Sequence, residues 1–463
     1  MVNTAAVTRG GLRTWGATPP RVLPPEPATW AHTAVQKAGV NIQPGWYNYD
    51  ISTTAAKTLL ANYVHDLGVG VVRFQVPDNT GATSPGRKAA DFIRDYLHVP
   101  YGIRWHGTAG AYNPGDTDTA RAAERTGLAA NILEYATANP NLFLGLGGYN
   151  EPNGTRLGAL NPNWPTIVAT HQQWLWALRA NNPGVLGAVT VSGPSLHDNP
   201  PAKTNPTRSS SQVLQEDYLS LSPCAGYMDE IEFHRYPAGQ VPSWYIDLRT
   251  SWAVAGVGAS KTPVVVSECG YQTHPPNAAG VTLDVQGTYA PRLYAEHWAR
   301  GNTCIWFDLL CQYDPVYAAD NTAGDVQSWY GLIQAPTASN ADLAPSPAYT
   351  AVSRMLGLLA DPGATYTPAA LPMVLIRDDS VKHLLYGKRD GSYLLLLWRD
   401  VSVWSKSTKT PVSPSAVTAT VQLQTAKTVS VYTPKTSATP ATSTGLDHVV
   451  QLAGDLKVVA IPA

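Results

Sequence analysis

The chain has 463 residues, 44% of them hydrophobic and 14% charged, with a formal net charge of -1. Its size exceeds what one hydrophobic core fills, so a large domain with a smaller companion is expected. The balanced charge gives no electrostatic basis for nucleic acid or an anionic membrane as partner, and no run of eighteen apolar residues is present to span a bilayer.

Residues 1–37 are rich in Pro and Gly and predict no regular element, so they read as an N-terminal extension. Their opening, MVNTAAVTRGGLRTWG, lacks the apolar stretch of a signal peptide.

From about 38 to 360, short apolar runs alternate with longer amphipathic stretches, the pattern of β/α units. Eight strands are predicted: 38–43 (AGVNIQ), 69–74 (VGVVRF), 99–105 (VPYGIRW), 142–146 (LFLGL), 185–192 (VLGAVTVS), 228–234 (MDEIEFH), 264–268 (VVVSE) and 304–307 (CIWF). Helices are predicted between and after them at 53–68, 86–97, 119–138, 165–182, 210–219, 242–256, 289–301 and 346–360. This count is that of a (β/α)8 TIM barrel over 38–360. Strand order is not written in the pattern, so a doubly wound open sheet fits it too.

After Asp361-Pro362-Gly363 helical patterning stops and alternating runs follow: MVLIRD, KHLLYGKR, SYLLLLWRD, AVTATVQL, KTVSVYT, HVVQLAG and LKVVAIPA. Asp390-Gly391 between two of them is a hairpin signal. Residues 361–463 are therefore expected to form a small all-β sandwich, with KTSATPATSTG inside it as a loop.

The aromatic residues are 14 Trp and 23 Tyr against 5 Phe, which suits sugar-stacking surfaces and Trp-rich cores equally. The four cysteines include no C-x-x-C pair. The spacing of Cys304 and Cys311 allows a bridge, although buried thiols are the expected state. Cys269 has no neighbouring His in sequence and reads as a buried filler, not a nucleophile. Asp116 and Asp118 fit a helix cap better than an incomplete calcium loop. The sequence contains no G-x-S-x-G, H-E-x-x-H, P-loop or G-x-G-x-x-G motif.

Catalytic groups on such a barrel sit where strands end, and two apolar runs end near glutamates: Glu151 in LFLGLGGYNEPNG and Glu268 in TPVVVSECGYQ. Asn150-Glu151-Pro152 after the fourth run, with Glu268 on the seventh, resembles the large clan A of (β/α)8 retaining glycoside hydrolases. The resemblance implies that Glu151 is the acid/base and Glu268 the nucleophile, separated by roughly 5 Å. A like charge on Glu268 would favour the protonated form of Glu151.

It further implies that Asn150 bonds the sugar 2-hydroxyl, that His234 and Tyr236 in IEFHRYP match the clan's His-x-Tyr, and that Tyr236 holds the nucleophile's carboxylate in its charged form. Arg73, in VVRFQVP, corresponds to an arginine beneath the nucleophile. His106, after GIRW, is a candidate sugar-binding residue. Trp306, in CIWFDL, is a candidate sugar platform, and Trp46 with Tyr47, in QPGWYNYD, a candidate for the rim of the cleft.

The expected activity is therefore hydrolysis of O-glycosidic bonds in an oligo- or polysaccharide by double displacement, with a carbohydrate as partner and no cofactor or metal. A transglycosidase on the same barrel and an inactive carbohydrate-binding barrel are the alternatives. Retention of both glutamates speaks against the second. Specificity would lie in the loops 161–166, 195–211 and 271–280. Clan families act on xylosides, glucosides, glucuronides and arabinosides. Two locations stay open: a protein that stays inside the cell, or an exported one whose leader is absent from this chain, towards which the common export of polymer-degrading members leans.

Overall fold

A computed structural model of the chain describes residues 21–44, 51–79, 81, 84–113, 115–154, 163–197, 210–274, 279–310, 329–334 and 342–463. Eight parallel strands occur in the expected order: β1 Ala38–Asn41, β2 Val71–Gln75, β3 Arg104–Thr108, β4 Phe143–Gly147, β5 Thr190–Val191, β6 Glu232–Arg235, β7 Val265–Cys269 and β8 Thr303–Trp306. Their order in the sheet is β5-β4-β3-β2-β1-β8-β7-β6. Parallel bridges Ser192↔Glu230 and Leu196↔Phe233 then join β5 to β6. The sheet thus curls back on itself as a TIM barrel, and the open-sheet alternative is removed.

Among the described residues the main helices of the barrel are α1 Thr54–Leu67, α2 Pro85–Phe92, α3 Asp118–Ala138, α4 Trp164–Asn181, α5 Ser210–Leu219, α6 Ile246–Val257, α7 Leu283–Trp298 and α8 Pro347–Leu359, with a short helix His32–Gln36 before β1. The local chemistry of several starts is plain. Thr53, Ser84, Thr117, Thr282 and Ser346 each accept a backbone N–H from the first turn of α1, α2, α3, α7 and α8. Thr117 caps α3, with Asp116 and Asp118 on either side.

Two predicted strands are shortened. Residues 99–101 are helical up to Gly102, whose φ of 67° ends the turn, and Pro183–Leu186 forms a helical turn before β5. Short apolar runs carry no period that separates a strand from a buried turn. Conversely α7 starts at Leu283, six residues before the predicted helix. Every residue from Val285 to Trp298 is buried, because α7 lies between the barrel and the C-terminal sheet, so it lacks the polar face that marks most helices.

The C-terminal strands are β9 Leu371–Ile376, β10 Val381–Gly387, β11 Tyr393–Arg399, β12 Val417–Thr433, β13 Ser437–Leu452 and β14 Lys457–Ile461. They form one hydrogen-bonded sheet, to which Pro25–Glu26 and Thr29–Trp30 add strands at β9 and β10. The extension is therefore not structureless. Alternation in β11 sends Leu395 and Leu397 into a core of the sheet itself, and Leu394, Leu396 and Trp398 towards the barrel.

The expected loop KTSATPATSTG is largely strand. Residues 441–445 of β13 pair with 427–431 of β12, and the hydroxyls of Thr428 and Thr444 meet at 2.8 Å. β-Branched threonines facing one another across strands stabilise a sheet where composition alone suggests a loop.

Glu296 of α7 joins the two regions. Its buried carboxylate accepts from Trp398 Nε1 at 2.8 Å, Lys382 Nζ at 2.9 Å and Arg300 Nη1 at 2.8 Å. Glu296→Ala leaves these donors facing one another. It is expected to lower unfolding free energy by about 2–4 kcal/mol, measured by denaturant titration. A change below about 0.5 kcal/mol, the range of ordinary surface substitutions, would remove Glu296 as the tie.

Candidate active site

At the C-terminal ends of the strands, polar side chains from β1, β2, β6, β7 and the segment after β4 meet in one group. Glu268 on β7 is its centre. Arg73 on β2 donates from Nη1 to Glu268 Oε1 at 2.7 Å, and Tyr236, just past β6, donates its phenol to Oε2 at 2.6 Å. Burial first, and then the charge of Glu268, pushes the Tyr236 phenol well above the ordinary tyrosine range, so it keeps the proton it donates.

Glu151 follows β4. Its backbone N–H bonds Ser195 O at 2.7 Å, and its φ of 46° lies in the left-handed region. That backbone costs about 1–2 kcal/mol for a residue with a Cβ, and such strain clusters at functional sites. His234 Nδ1 lies 2.8 Å from Glu151 Oε1 and 3.3 Å from Glu268 Oε2. Its Nε2 lies 3.4 Å from Arg73 Nη2. Arginine only donates, so Nε2 is the acceptor and the proton sits on Nδ1, aimed at the carboxylates.

One oxygen of each glutamate and the His234 nitrogen lie within 4.8 Å of one another. A divalent cation accepts such donors. Here the guanidinium of Arg73 already places a positive charge against Glu268, so the chain supplies the compensating charge itself. The Glu151 and Glu268 side chains are 17% and 11% exposed, whereas those of His234 and Arg73 are 0% and 5%. The carboxylates are thus the part of the group that faces outward.

Asn150 is oriented through its carbonyl, which accepts from Arg73 Nη2 at 2.7 Å and Ser195 Oγ at 3.3 Å. Its amide is left to donate.

The remaining sequence candidates lie elsewhere. His106 on β3 is wholly buried in the barrel interior, 3.2 Å from Ser192 Oγ and 3.8 Å from Glu232. Trp306 on β8 is also wholly buried, its indole N–H donated to Tyr330 O. Neither offers an open face in this conformation. Trp46 and Tyr47 fall outside the described residues, as do 161–162, 198–209 and 275–278 of the three loops and Cys311. Cys304 is a free, buried thiol.

Sequence reasoning missed Asn41 and Glu232. Asn41 ends β1, accepts from Arg73 Nη1 at 3.1 Å and donates to Ser267 O at 2.9 Å. Glu232 is buried 3.7 Å from Arg73 Nη2. A Cβ on Gly147 would fall 2.3 Å from Glu232 Oε2, so the glycine makes room for that carboxylate. Strand alternation was the available signal: Glu232 lies two residues before His234 and shares its face.

The same face carries Glu230, whose carboxyl accepts from Ser192 Oγ at 2.7 Å and is pushed up to about 7, chiefly by burial. A carboxyl raised on folding stabilises fully below its unfolded value and loses that contribution as pH rises towards the folded one. Stability is therefore expected to fall between about pH 4.5 and 7, at up to about 1.4 kcal/mol per pH unit. Denaturant titrations across this window should show a flatter profile for Glu230→Gln. An unchanged slope would assign the proton uptake to another group.

No known family model matches the sequence, and no curated protein matches it. In three dimensions the chain is similar to a glucosidase from Croceicoccus marinus, with a TM-score of 0.61 and 11% identity over 96% of this chain and 98% of that one. It is similar to a family 51 α-L-arabinofuranosidase from Bifidobacterium longum, with a TM-score of 0.54 and 11% identity over 95% and 98%. An endo-β-1,6-glucanase gives a TM-score of 0.53 and 12% identity over 96% of each chain. At such identities the likeness is one of fold. It runs through the barrel and the C-terminal sheet alike.

Proposed function

We propose that this chain is a retaining glycoside hydrolase acting on an oligo- or polysaccharide. The observation that carries the reading is the pair Glu151 and Glu268, with oxygens within 4.8 Å of each other across His234. Retaining enzymes hold their two carboxyl groups about 5–5.5 Å apart, whereas inverting ones need about 6.5–9.5 Å to admit water between them. The barrel fold shared with the glucosidase, the arabinofuranosidase and the glucanase agrees with the reading.

In the first step Glu268 attacks the anomeric carbon as the glycosidic C–O bond breaks, and Glu151 gives its proton to the departing oxygen. In the second, Glu151 takes a proton from water, whose oxygen displaces Glu268 from the sugar. Arg73 and Tyr236 fix the two oxygens of Glu268. Asn150, held by Arg73, presents its amide to the sugar 2-hydroxyl. Residues 38–360 form the catalytic unit in this reading, with 361–463 as an accessory β-sandwich supporting the barrel wall.

The test is hydrolysis of a panel of aryl glycosides and cell-wall polysaccharides, with the first-formed anomer followed by NMR. Release with net retention is expected. Inversion would overturn the mechanism, and transfer to added acceptor sugars in preference to water would make the enzyme a transglycosidase. Absence of release by the folded chain would overturn the hydrolase reading.

A further inference from the structure

On the outer side of the barrel wall, behind the strand that carries Glu268, three soft-metal donors converge. Cys269 ends β7, Cys304 lies on neighbouring β8, and His297 is in the last turn of α7. Their sulfur and nitrogen atoms all fall within 4.8 Å of one another, the two sulfurs 3.4 Å apart. All three residues are 0% exposed. Neither ring nitrogen of His297 has a hydrogen-bond partner. A buried imidazole with both nitrogens unsatisfied is uncommon in a folded interior and asks for a ligand.

The surrounding charge narrows the choice. Arg235 on β6 is the strand partner of Cys269, is wholly buried, and leaves Nη1 without an acceptor. Its guanidinium lies within electrostatic reach of both sulfurs.

We propose that Cys269, Cys304 and His297 form a buried three-coordinate site for one thiophilic monovalent cation, Cu(I) being the ion whose charge and coordination fit. Thiolate and imidazole donors suit Cu(I) and Zn(II), but closed zinc sites take four ligands. Among the described residues no further Cys, His or carboxylate joins this cluster. Binding releases two thiol protons to solvent, so two thiolates and Cu(I) carry a net charge of -1, which the neighbouring guanidinium cancels. A divalent ion would give a neutral cluster and leave Arg235 uncompensated in the interior. Because the donors are shut from solvent, the ion enters as the chain folds, and it then ties β7, β8 and α7 together.

The full chain, refolded anaerobically under reductant with Cu(I) supplied by a chromogenic chelator, is expected to keep one copper per chain after desalting and to gain in thermal midpoint. X-ray absorption of that sample should show two sulfur neighbours and one nitrogen. The Cys269→Ala/Cys304→Ala double variant should retain none, while Cys224→Ala retains copper as wild type does. A wild-type chain without copper, or a copper shell lacking sulfur, overturns the proposal even if the double variant fails to fold. Copper kept equally by the folded double variant overturns it too, as does four-coordinate Zn(II) held in preference to Cu(I) in a parallel refolding.

Discussion

If Glu268 is the nucleophile of the proposed double displacement, Glu268→Ala is expected to lose about 10⁴-fold or more in glycoside turnover, because the variant cannot form the covalent intermediate. The loss should be one of chemistry. In the variant Arg73 still has Asn41 at 3.1 Å, Asn150 at 2.7 Å and Glu232 at 3.7 Å, so the guanidinium is not stranded in an apolar interior. Circular dichroism should accordingly report a folded barrel. Truncation also opens a space beside Arg73 large enough for a small anion. Added azide should attack the anomeric carbon from that side and, with an activated aryl leaving group, yield a glycosyl azide of inverted configuration. Turnover within about tenfold of wild type would show that Glu268 does not form the covalent bond. A dead variant that azide fails to rescue on an activated substrate would leave the carboxylate as an electrostatic or positioning group.

The parts of this site that are legible in the sequence are those fixed by strand ends. Arg73, Asn150, Glu151, His234, Tyr236 and Glu268 each lie where an apolar run stops, and a parallel barrel delivers such positions to one rim whatever the loops do. Asn41 and Glu232 need a second rule, alternation within a strand, because neither stands out by closing a run. The convergence of Cys269, Cys304 and His297 is not readable, because it depends on how α7 lies across β7 and β8. Nothing in the spacing 269, 297, 304 encodes that packing.

The same holds for Thr29–Trp30. An isolated two-residue strand has no local signal, and it exists because β10 offers an unpaired edge. Where sequence reasoning errs, as at 99–103 and 185–189, the runs are short and apolar, and periodicity cannot tell a strand from a helical turn over so few residues. The threonine-rich stretch fails for the opposite reason. Its composition is that of a loop, and only the partner strand, with Thr428 opposite Thr444, turns those residues into a ladder.

Glu151→Ala is expected to sort substrates by their leaving groups. With an alkyl or sugar leaving group the departing oxygen needs a proton, and turnover should fall by about 10²–10⁴-fold. With a dinitrophenolate leaving group it needs none, so the first step stays fast. The glycosyl-enzyme then accumulates as a burst, and its hydrolysis, lacking a base, limits the rate. An equal loss on both substrate types would make Glu151 a positioning residue and not the proton donor. The backbone supplies an independent control. At φ 46° an alanine keeps the strain of the left-handed conformation and a glycine does not. Glu151→Gly should therefore be more stable than Glu151→Ala by about 1 kcal/mol, while both show the same leaving-group dependence. If the glycine variant gains nothing, the left-handed geometry is not imposed on this position in solution. If it gains stability and loses the same chemistry, the fold holds Glu151 in a costly conformation, as strain stored at functional sites requires.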